Sequence, residues 1–422
     1  MSKIIKNINS NIYQIYLVYV IFGLSVAIFL KDINETFLKI SFFETIYFYR
    51  GVLFLFSLYL FFITKKKFNI NIFFLSILSL IFLYNTLFGE TLIFTKDVNI
   101  LLKQLNIDAQ IGDGSKFFFD EKLKTIIINL INIYFPLLVL MFIKFNIDLN
   151  WFYKISYKVS EIFIILLSIY ITIALIIFLY QPGRPDYSYF GTQSDFPKNF
   201  INPHGLLYFL NIFFIQNIIQ IYSKINIKKN LIYIVITTII FIISGSILFC
   251  GLCALTFLIY STFKLKKKYI YFLLILFLFL FLILVIYMNI NDDSKIIEGS
   301  LYNSLNIRIS YIKLFLFDSD NINYIYGSNI FSEQIYTYPH NSLIDIFICS
   351  GFFGVIILFF LLYRLIDFYR VNYKFPLNFI ILIFIQLSIF SLLSGFFFKN
   401  ITLNILLAIM LNLSTLREEK IK

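Results

Sequence analysis

The stretch from Asn341 to Tyr363 reads NSLIDIFICSGFFGVIILFFLLY, and Asp345 is its only charged residue. A helix that crosses a bilayer needs about 20 mostly apolar residues, so this stretch predicts a membrane span. Similar runs recur along the chain. We identify about twelve, at residues 12–30, 43–63, 68–88, 124–143, 160–180, 204–222, 230–244, 246–263, 269–289, 341–363, 376–395 and 398–414.

The composition of the whole chain indicates the same class of protein. Its 422 residues are 60% hydrophobic and only 14% charged, whereas soluble domains are about 45–50% apolar and about 25% charged. These values exclude a soluble enzyme and a disordered chain. We expect an all-α polytopic membrane protein in which residues 1–422 form a single integral membrane domain.

The basic residues predict the orientation of the chain. Lys and Arg number 35 against 23 Asp and Glu, a net charge of +12, but they lie between the apolar runs. They are therefore topology signals, and no nucleic-acid partner is expected. With Lys3 and Lys6 in the cytoplasm, the other basic clusters fall on the same side and both termini are cytoplasmic. The long loops at about 89–123, 181–203 and 290–340 then face outward.

Motifs for nucleotide or metal chemistry are absent from the sequence. There is no P-loop, GxGxxG or HExxH pattern, which argues against an ATP-driven pump. Cys250, Cys253 and Cys349 all lie in apolar runs, where small packing residues are the simpler interpretation than a metal or redox site. We expect no metal and no cofactor.

Arginine and histidine are rare, and their positions indicate candidate sites. Arg184 and Arg308 lie in outward loops, where a guanidinium fork can bind a diphosphate or form an ordinary ion pair. The only two histidines, His204 and His340, lie at outer ends of predicted spans. Either one can act as a general base or be a satisfied polar residue. Arg50, six residues after Glu44, is predicted to form a buried structural pair with it.

Further candidates surround these residues in the sequence. Asp345 lies inside a predicted span, where an acid either orients His340, lines an acceptor site or makes a polar packing contact. Tyr187 and Lys198 share a loop with Arg184, and such aromatic rings stack on sugars or form an interfacial belt. The periodicity of Leu305, Ile309, Ile312 and Leu316 predicts a helix at about 303–317, which also carries Arg308 and Tyr311.

The segment Pro339-His340-Asn341-Ser342-Leu343, followed by Gly351 and Gly354, resembles the signature of the O-antigen ligase/polymerase superfamily. Arg308 fits an arginine that opens a loop helix in that family, and Tyr324–Asn329 resembles its glycine-containing turn. Arg184, Gly191 and Phe200–His204 are similar to a further upstream element, in which His204 replaces the usual Asn. The resemblance covers roughly residues 160 to 400.

The resemblance implies a glycosyltransferase of the GT-C type in the bacterial inner membrane. Its donor would be an oligosaccharide on undecaprenyl diphosphate at the periplasmic face, and a chain-length regulator would be a partner. By this resemblance the loops 181–203 and 290–340 form the active-site face, and His340, Arg308 and Arg184 are catalytic. The substrate-binding residues would be Asn341, Lys198, Tyr187, His204, Tyr338, Tyr311 and Asp345.

Two related activities share this signature. A polymerase uses a second lipid-linked repeat unit as acceptor, whereas a ligase uses the lipid A core. Many members of the family have Ser-Arg where this chain has Ser244-Gly245-Ser246. That departure, with His204 in place of Asn, favours an O-antigen or capsule polymerase over the ligase. A lipid-linked oligosaccharide flippase is a third alternative, but the distinctive residues lie in outward loops and not at mid-span.

Overall fold

The computed structural model describes residues 2–33, 45–64, 67–94, 122–144, 147–179, 203–243, 312–317, 319–331, 341–372, 377–394 and 397–421. Helix accounts for 86% of the residues that can be interpreted. Among these described residues, five helical segments are long and apolar enough to cross a bilayer, so the chain is a mostly helical membrane protein. They are Asn11–Leu30, Ile46–Ile63, Ile70–Phe88, Lys122–Phe142 and Ser342–Tyr369.

Ten of the predicted apolar runs overlap helices of the structure, and the runs at 246–263 and 269–289 lie outside the described residues. The helices are α1 (Ser2–Ile33), α2 (Thr45–Ile63), α3 (Ile70–Phe88), α4 (Phe135–Phe142), α5 (Leu149–Leu179), α6 (Pro203–Tyr222), α7 (Ile227–Ile243), α8 (Ser342–Asn372), α9 (Leu377–Ser394) and α10 (Ile401–Ile421). The described residues also include two short strands, β1 (Ile93–Phe94) and β2 (Ser319–Asp320), a π-helix (Ile128–Tyr134) and a 3-10 helix (Phe397–Lys399). Of the helix predicted at 303–317, residues 312–317 are described and helical.

The chain divides into two compact units. Unit 1 comprises Met1–Leu60, Phe145–Ser261 and Tyr373–Leu387, and unit 2 comprises Phe61–Lys144, Thr262–Asn372 and Ser388–Lys422. Helices α2 and α9 each contribute residues to both units.

Unit 1 is held together by aromatic packing and a few buried polar contacts. The hydroxyls of Tyr16 and Ser57 lie 2.9 Å apart between α1 and α2. Tyr19 and Tyr49 stack with their ring centroids 5.2 Å apart. A Cβ on Gly23 would collide with the ring of Tyr49, so glycine allows α1 and α2 to approach closely. Small residues have this role at helix interfaces in membranes.

In unit 2, α3 packs against α4, α8 and α10. The π-helix before α4 has a local cause. Pro136 has no N–H to give to the helical ladder, and the N–H of Phe135 donates to the carbonyl of Leu130 five residues back. A proline removes one ladder bond, so the hydrogen-bond pattern of the helix can change locally beside it. The rings of Phe82 and Phe398 stack at 4.2 Å and fill the interior beside α3.

The segment 319–331 is attached to the residues that follow α3. Strand β2 pairs antiparallel with β1, with Ile93 opposite Asp320. Further on, the N–H of Asn329 donates to the carbonyl of Glu90 at 2.9 Å. These contacts hold segment 319–331 beside the C-terminal end of α3, which places it next to α8.

Candidate functional site

The predicted site residues divide into two groups. Asn341 and Asp345 belong to the described part of the chain, and His204 is the second residue of α6, where only the backbone is described. The others lie outside the described residues: His340, Arg308, Arg184, Lys198, Tyr187, Tyr338 and Tyr311. The beginning of α8 is therefore where the structure bears on the site.

Asn341 precedes α8 and caps its first turn. Its Oδ1 accepts hydrogen bonds from the N–H groups of Leu343 (3.0 Å) and Ile344 (3.2 Å), and its carbonyl accepts one from the N–H of Asp345 (2.9 Å). A buried asparagine in this position satisfies helix donors that otherwise have no partner. Asn341 therefore has a structural role, and the substrate contact predicted for it stays a prediction.

The first turn of α8 is also fixed to the C-terminal part of α9. The hydroxyl of Ser342 donates to the carbonyl of Ser391 at 3.0 Å and contacts the hydroxyl of the same residue. Both side chains are buried. Their contact holds the start of α8 against residues of α9 that belong to unit 2.

Asp345 lies one turn into α8 and has no solvent exposure. Among the residues that the structure describes, neither of its carboxylate oxygens makes a hydrogen bond of good geometry. The backbone N–H of Phe397 and the positive charge of Lys399, both in the 3-10 helix, lie close enough for an electrostatic interaction with this carboxyl group. A carboxyl group inside a span is costly and is usually tied to an interior site or cavity. Asp345 thus retains hydrogen-bonding capacity for a polar group near the start of α8.

Helix α8 is broken at Gly351, where φ is 62° and ψ is −165°. At the break, hydrogen bonds within α8 are replaced by hydrogen bonds to segment 319–331. In a continuous helix, the N–H groups of Phe352 and Phe353 would donate to the carbonyls four residues back. Here they donate to the carbonyls of Tyr324 (2.8 Å) and Ile325 (3.3 Å).

The carbonyls released by the break also find partners. Ile348 accepts a hydrogen bond from the N–H of Ser328 at 2.7 Å. Cys349 accepts one from the Nδ2 group of Asn85 in α3 at 2.8 Å, and the same amide donates to the carbonyl of Tyr326 at 2.6 Å. Unpaired backbone groups are expensive in a membrane. The break is therefore fully compensated at these four backbone positions of α8.

Two glycines make this contact possible. Gly327 has φ 85° and Gly351 has φ 62°, both in the left-handed region. A Cβ on Gly327 would overlap the backbone of Ser350, and one on Gly351 would overlap the backbone of Ile325. Only glycine combines these backbone angles with so close an approach of two backbones.

Gly354 has a different role from Gly351. It lies in the helical part of α8 that packs on α3, and a Cβ there would overlap the side chain of Ser350 and crowd Leu78. Gly354 thus allows close packing of two helices, whereas Gly351 allows the break.

Asn85 was not among the predicted site residues, although the sequence contains a signal for it. It is an amide within the apolar run 68–88, and polar residues inside spans commonly bond to other helices. Buried asparagines act similarly elsewhere in unit 2. Asn129 donates to the carbonyl of Phe398 at 3.1 Å, and Asn412 donates to that of Ile143 at 2.9 Å.

The structure also describes two further residues that the sequence singled out, Arg50 and Cys349. The guanidinium group of Arg50 lies over the ring of Tyr47, 5.4 Å from its centroid. Glu44, the partner predicted for Arg50, lies outside the described residues. Cys349 is buried and not in a disulfide, while Cys250 and Cys253 are outside the described part. No group of three or more metal-ligating side chains occurs among the described residues.

No known family model, no curated protein and no solved structure matches this chain.

Proposed function

We propose that the chain is an inner-membrane glycosyltransferase that joins undecaprenyl-diphosphate-linked repeat units at the periplasmic face. In this proposal it is an O-antigen or capsule polymerase. The proposal rests on one observation: the turn Tyr324–Asn329 is hydrogen-bonded to α8 around Gly351, and Gly354 follows in the same helix. These are two of the segments on which the resemblance rests. Gly327 and Gly351 each require glycine for a physical reason.

The proposed architecture is of the GT-C type, with about twelve spans and both termini in the cytoplasm. The five described helices that can cross a bilayer support a polytopic chain. A lipid-linked donor fits such a chain because its polyprenyl tail stays in the bilayer while its glycan reaches the outer surface.

In the proposed reaction, His340 accepts the proton from a hydroxyl group of the acceptor sugar. The resulting oxygen attacks the anomeric carbon of the donor with inversion, and the bond from that carbon to the diphosphate oxygen breaks. Arg184 and Arg308 bind the diphosphate and stabilise the negative charge that it gains. The buried carboxyl group of Asp345 supports an acceptor site near the start of α8, where it can receive a sugar hydroxyl or orient His340.

The experiment is a lipopolysaccharide gel from a deletion strain that carries either the wild-type gene or a variant. We expect His340→Ala to remove the polymer ladder and leave one core-linked repeat unit, because the general base is lost. Lys228→Ala, at an exposed position in the first turn of α7, is the matched control and should restore the ladder. Membrane levels of each variant are compared by immunoblot.

The other outcomes separate the alternatives. Full activity of His340→Ala at wild-type abundance would overturn the mechanism. Loss of every core-linked repeat unit, with polymer still present on the lipid carrier, would indicate a ligase. A ladder that is unchanged in the deletion strain would exclude both O-antigen activities and make capsule assembly the next activity to test.

A further inference from the structure

The turn at residues 321–331 lies beside residues 348–353 of α8, about two helical turns after the helix begins at Ser342. The N–H of Ser328 donates to Ile348, and the N–H of Phe352 donates to Tyr324. Both contacts are within two turns of Gly351. Residues 321–331 of the predicted outward loop therefore lie along a helix that is long and apolar enough to cross a bilayer.

The depth of this contact can be derived from α8. Its apolar segment Ser342–Tyr369 has 28 residues, which at 1.5 Å per residue exceeds the hydrocarbon thickness of about 30 Å. If that segment is centred in the bilayer, Gly351 lies about 7 Å from the midplane, well inside the hydrocarbon region.

Helix α3 gives a similar depth independently. Its apolar segment Ile70–Phe88 has 19 residues. If it is centred in the same way, Asn85 lies about 9 Å from the midplane. Asn85 donates to Tyr326 and Cys349 on either side of the contact. With both segments centred, α3 and α8 give the turn the same depth, inside the hydrocarbon region.

The backbone of the turn needs little water at that depth. The Oδ1 of Asn323 accepts from the N–H groups of Ile325 (3.1 Å) and Tyr326 (3.0 Å), and its carbonyl accepts from Gly327 (2.7 Å). The carbonyls of residues 324, 325 and 326 accept from α8 and α3 as described above. Irregular backbone is tolerated in a membrane where its polar groups are satisfied by protein.

The side chains at the tip of the turn face away from the protein. Tyr324, Ile325 and Tyr326 are 55%, 61% and 61% exposed. No charged residue occurs from Asn321 to Ser332. Tyrosine suits this depth because its ring is apolar and its hydroxyl can extend towards the interface.

The tip is continuous with an exposed apolar face of α8. The ring of Tyr324 lies 6.1 Å from that of Phe347, which in turn lies 5.1 Å from Phe352. Phe352 and Ile356 are more than half exposed on the same helix. On a helix that crosses the membrane, such a face contacts lipid chains.

We propose that residues 321–331 form a re-entrant membrane segment whose tip, Tyr324-Ile325-Tyr326, contacts the hydrocarbon chains of the bilayer. The segment enters beside the C-terminal end of α3, reverses at Gly327 and is held at depth by Asn85 and the break in α8. This proposal is independent of glycosyl transfer, because it rests on helix depth, backbone pairing and exposed apolar side chains.

Tryptophan fluorescence tests the proposal in the full chain. The sequence contains one tryptophan, Trp151, so Trp151→Phe provides a background without tryptophan signal. Ile325→Trp and the matched control Asp320→Trp are each introduced there and reconstituted into phosphatidylcholine–phosphatidylglycerol vesicles. Asp320 is exposed and pairs with Ile93 beyond the end of α3. Size-exclusion chromatography verifies that each variant is folded.

We expect the tryptophan at 325 to emit at short wavelength, to lose most of its emission with lipids brominated on their acyl chains, and to resist iodide. The control at 320 should show the reverse. Iodide quenching at 325 without bromine quenching would overturn the proposal, since it indicates an aqueous surface. Resistance to both quenchers would also overturn it, since it indicates a covering protein or a second copy. Tyr326→Trp gives the same test if Ile325→Trp does not fold.

Discussion

Two chain reversals in this molecule satisfy their backbone groups in opposite ways. The turn between α6 and α7, in unit 1, uses partners that are close in sequence. The N–H of Ile225 donates to Gln220 at 2.9 Å, and the Nδ2 group of Asn230 donates to the carbonyl of Ile225 at 2.7 Å. Residues Ser223 to Lys229 are exposed, so this turn can also bond to water.

The turn at 321–331, in unit 2, depends on distant partners. Its carbonyls at Tyr324 and Tyr326 accept from Phe352 and from Asn85, which is 241 residues away from Tyr326. The comparison shows that a turn in water can be specified locally, whereas a turn against a membrane helix needs partners supplied by other elements. Substitutions in the second turn should therefore cost more.

Gly351→Ala should have the largest effect. The φ and ψ angles of Gly351 are almost restricted to glycine, and a Cβ would overlap the backbone of Ile325. We expect a loss of at least about 3 kcal/mol in the free energy of unfolding, measured by SDS titration in mixed micelles with circular dichroism. The matched control is Gly51→Ala in α2, where a Cβ meets nothing within 4 Å. Equal stability of the two variants would show that α8 is not broken.

Asn85→Leu should have the next largest effect. It removes the two hydrogen bonds to Tyr326 and Cys349 and leaves both carbonyls in an apolar region. We expect a loss of about 1–3 kcal/mol in the same titration. Thr86→Val, beside it in α3, removes only a bond to Phe82 within the same helix and should lose much less. A loss from Thr86→Val as large as that from Asn85→Leu would contradict the role of Asn85.

Asn230→Ala, at the α6–α7 turn, should cost less than Asn85→Leu although its side chain makes more contacts. It bonds to Ile225, to Gln220 and to the hydroxyl of Tyr157. The side chain of Asn230 is buried, but its bonds to Ile225 and Tyr157 are only partly buried. Water can replace part of these two bonds, so about 1 kcal/mol should be lost. If Asn230→Ala cost more than Asn85→Leu, exposure to water would not explain the difference between the turns.

Lys224→Gly should have the smallest effect and the opposite sign. Lys224 has φ 58°, a left-handed conformation that is strained for a residue with a Cβ. Glycine relieves that strain, and we expect a gain of about 0.5–1 kcal/mol. Lys228→Gly, within helix α7, is the control and should be destabilising because glycine disfavours helix. A loss from Lys224→Gly would show that its conformation is not strained.

The sequence predicted the apolar helices well because length and hydropathy are local properties. The run 68–88 corresponds to Ile70–Phe88, and the run 204–222 corresponds to Pro203–Tyr222. Helix α5 begins at Leu149, eleven residues before the predicted 160. Its first turns carry polar residues such as Lys154 and Lys158, which a hydropathy pattern excludes although they form helix readily.

The contacts within the candidate site were harder to predict from the sequence than the helices. The glycines at 351 and 354 were recognised as a motif, but the motif does not reveal that one breaks a helix and the other allows close packing. Asn85 could be seen as an amide in an apolar run. Its partner at Cys349 is 264 residues away, and no local pattern encodes that contact.

The exchange of hydrogen bonds at Gly351 also allows α8 to be inserted as an unbroken helix and broken afterwards. Asn85 and the turn that ends at Phe331 are both synthesised before α8, so the partners for the break already exist when that helix is made. Residues 342–372 can enter the bilayer as an unbroken helix with every ladder bond intact. The break can then form when α8 docks. Hydrogen bonds within the helix are replaced by hydrogen bonds to its neighbours, so no backbone group has to remain unpaired. In that order of events, α8 reaches its final structure by a substitution of hydrogen-bond partners and not by the insertion of a new polar segment.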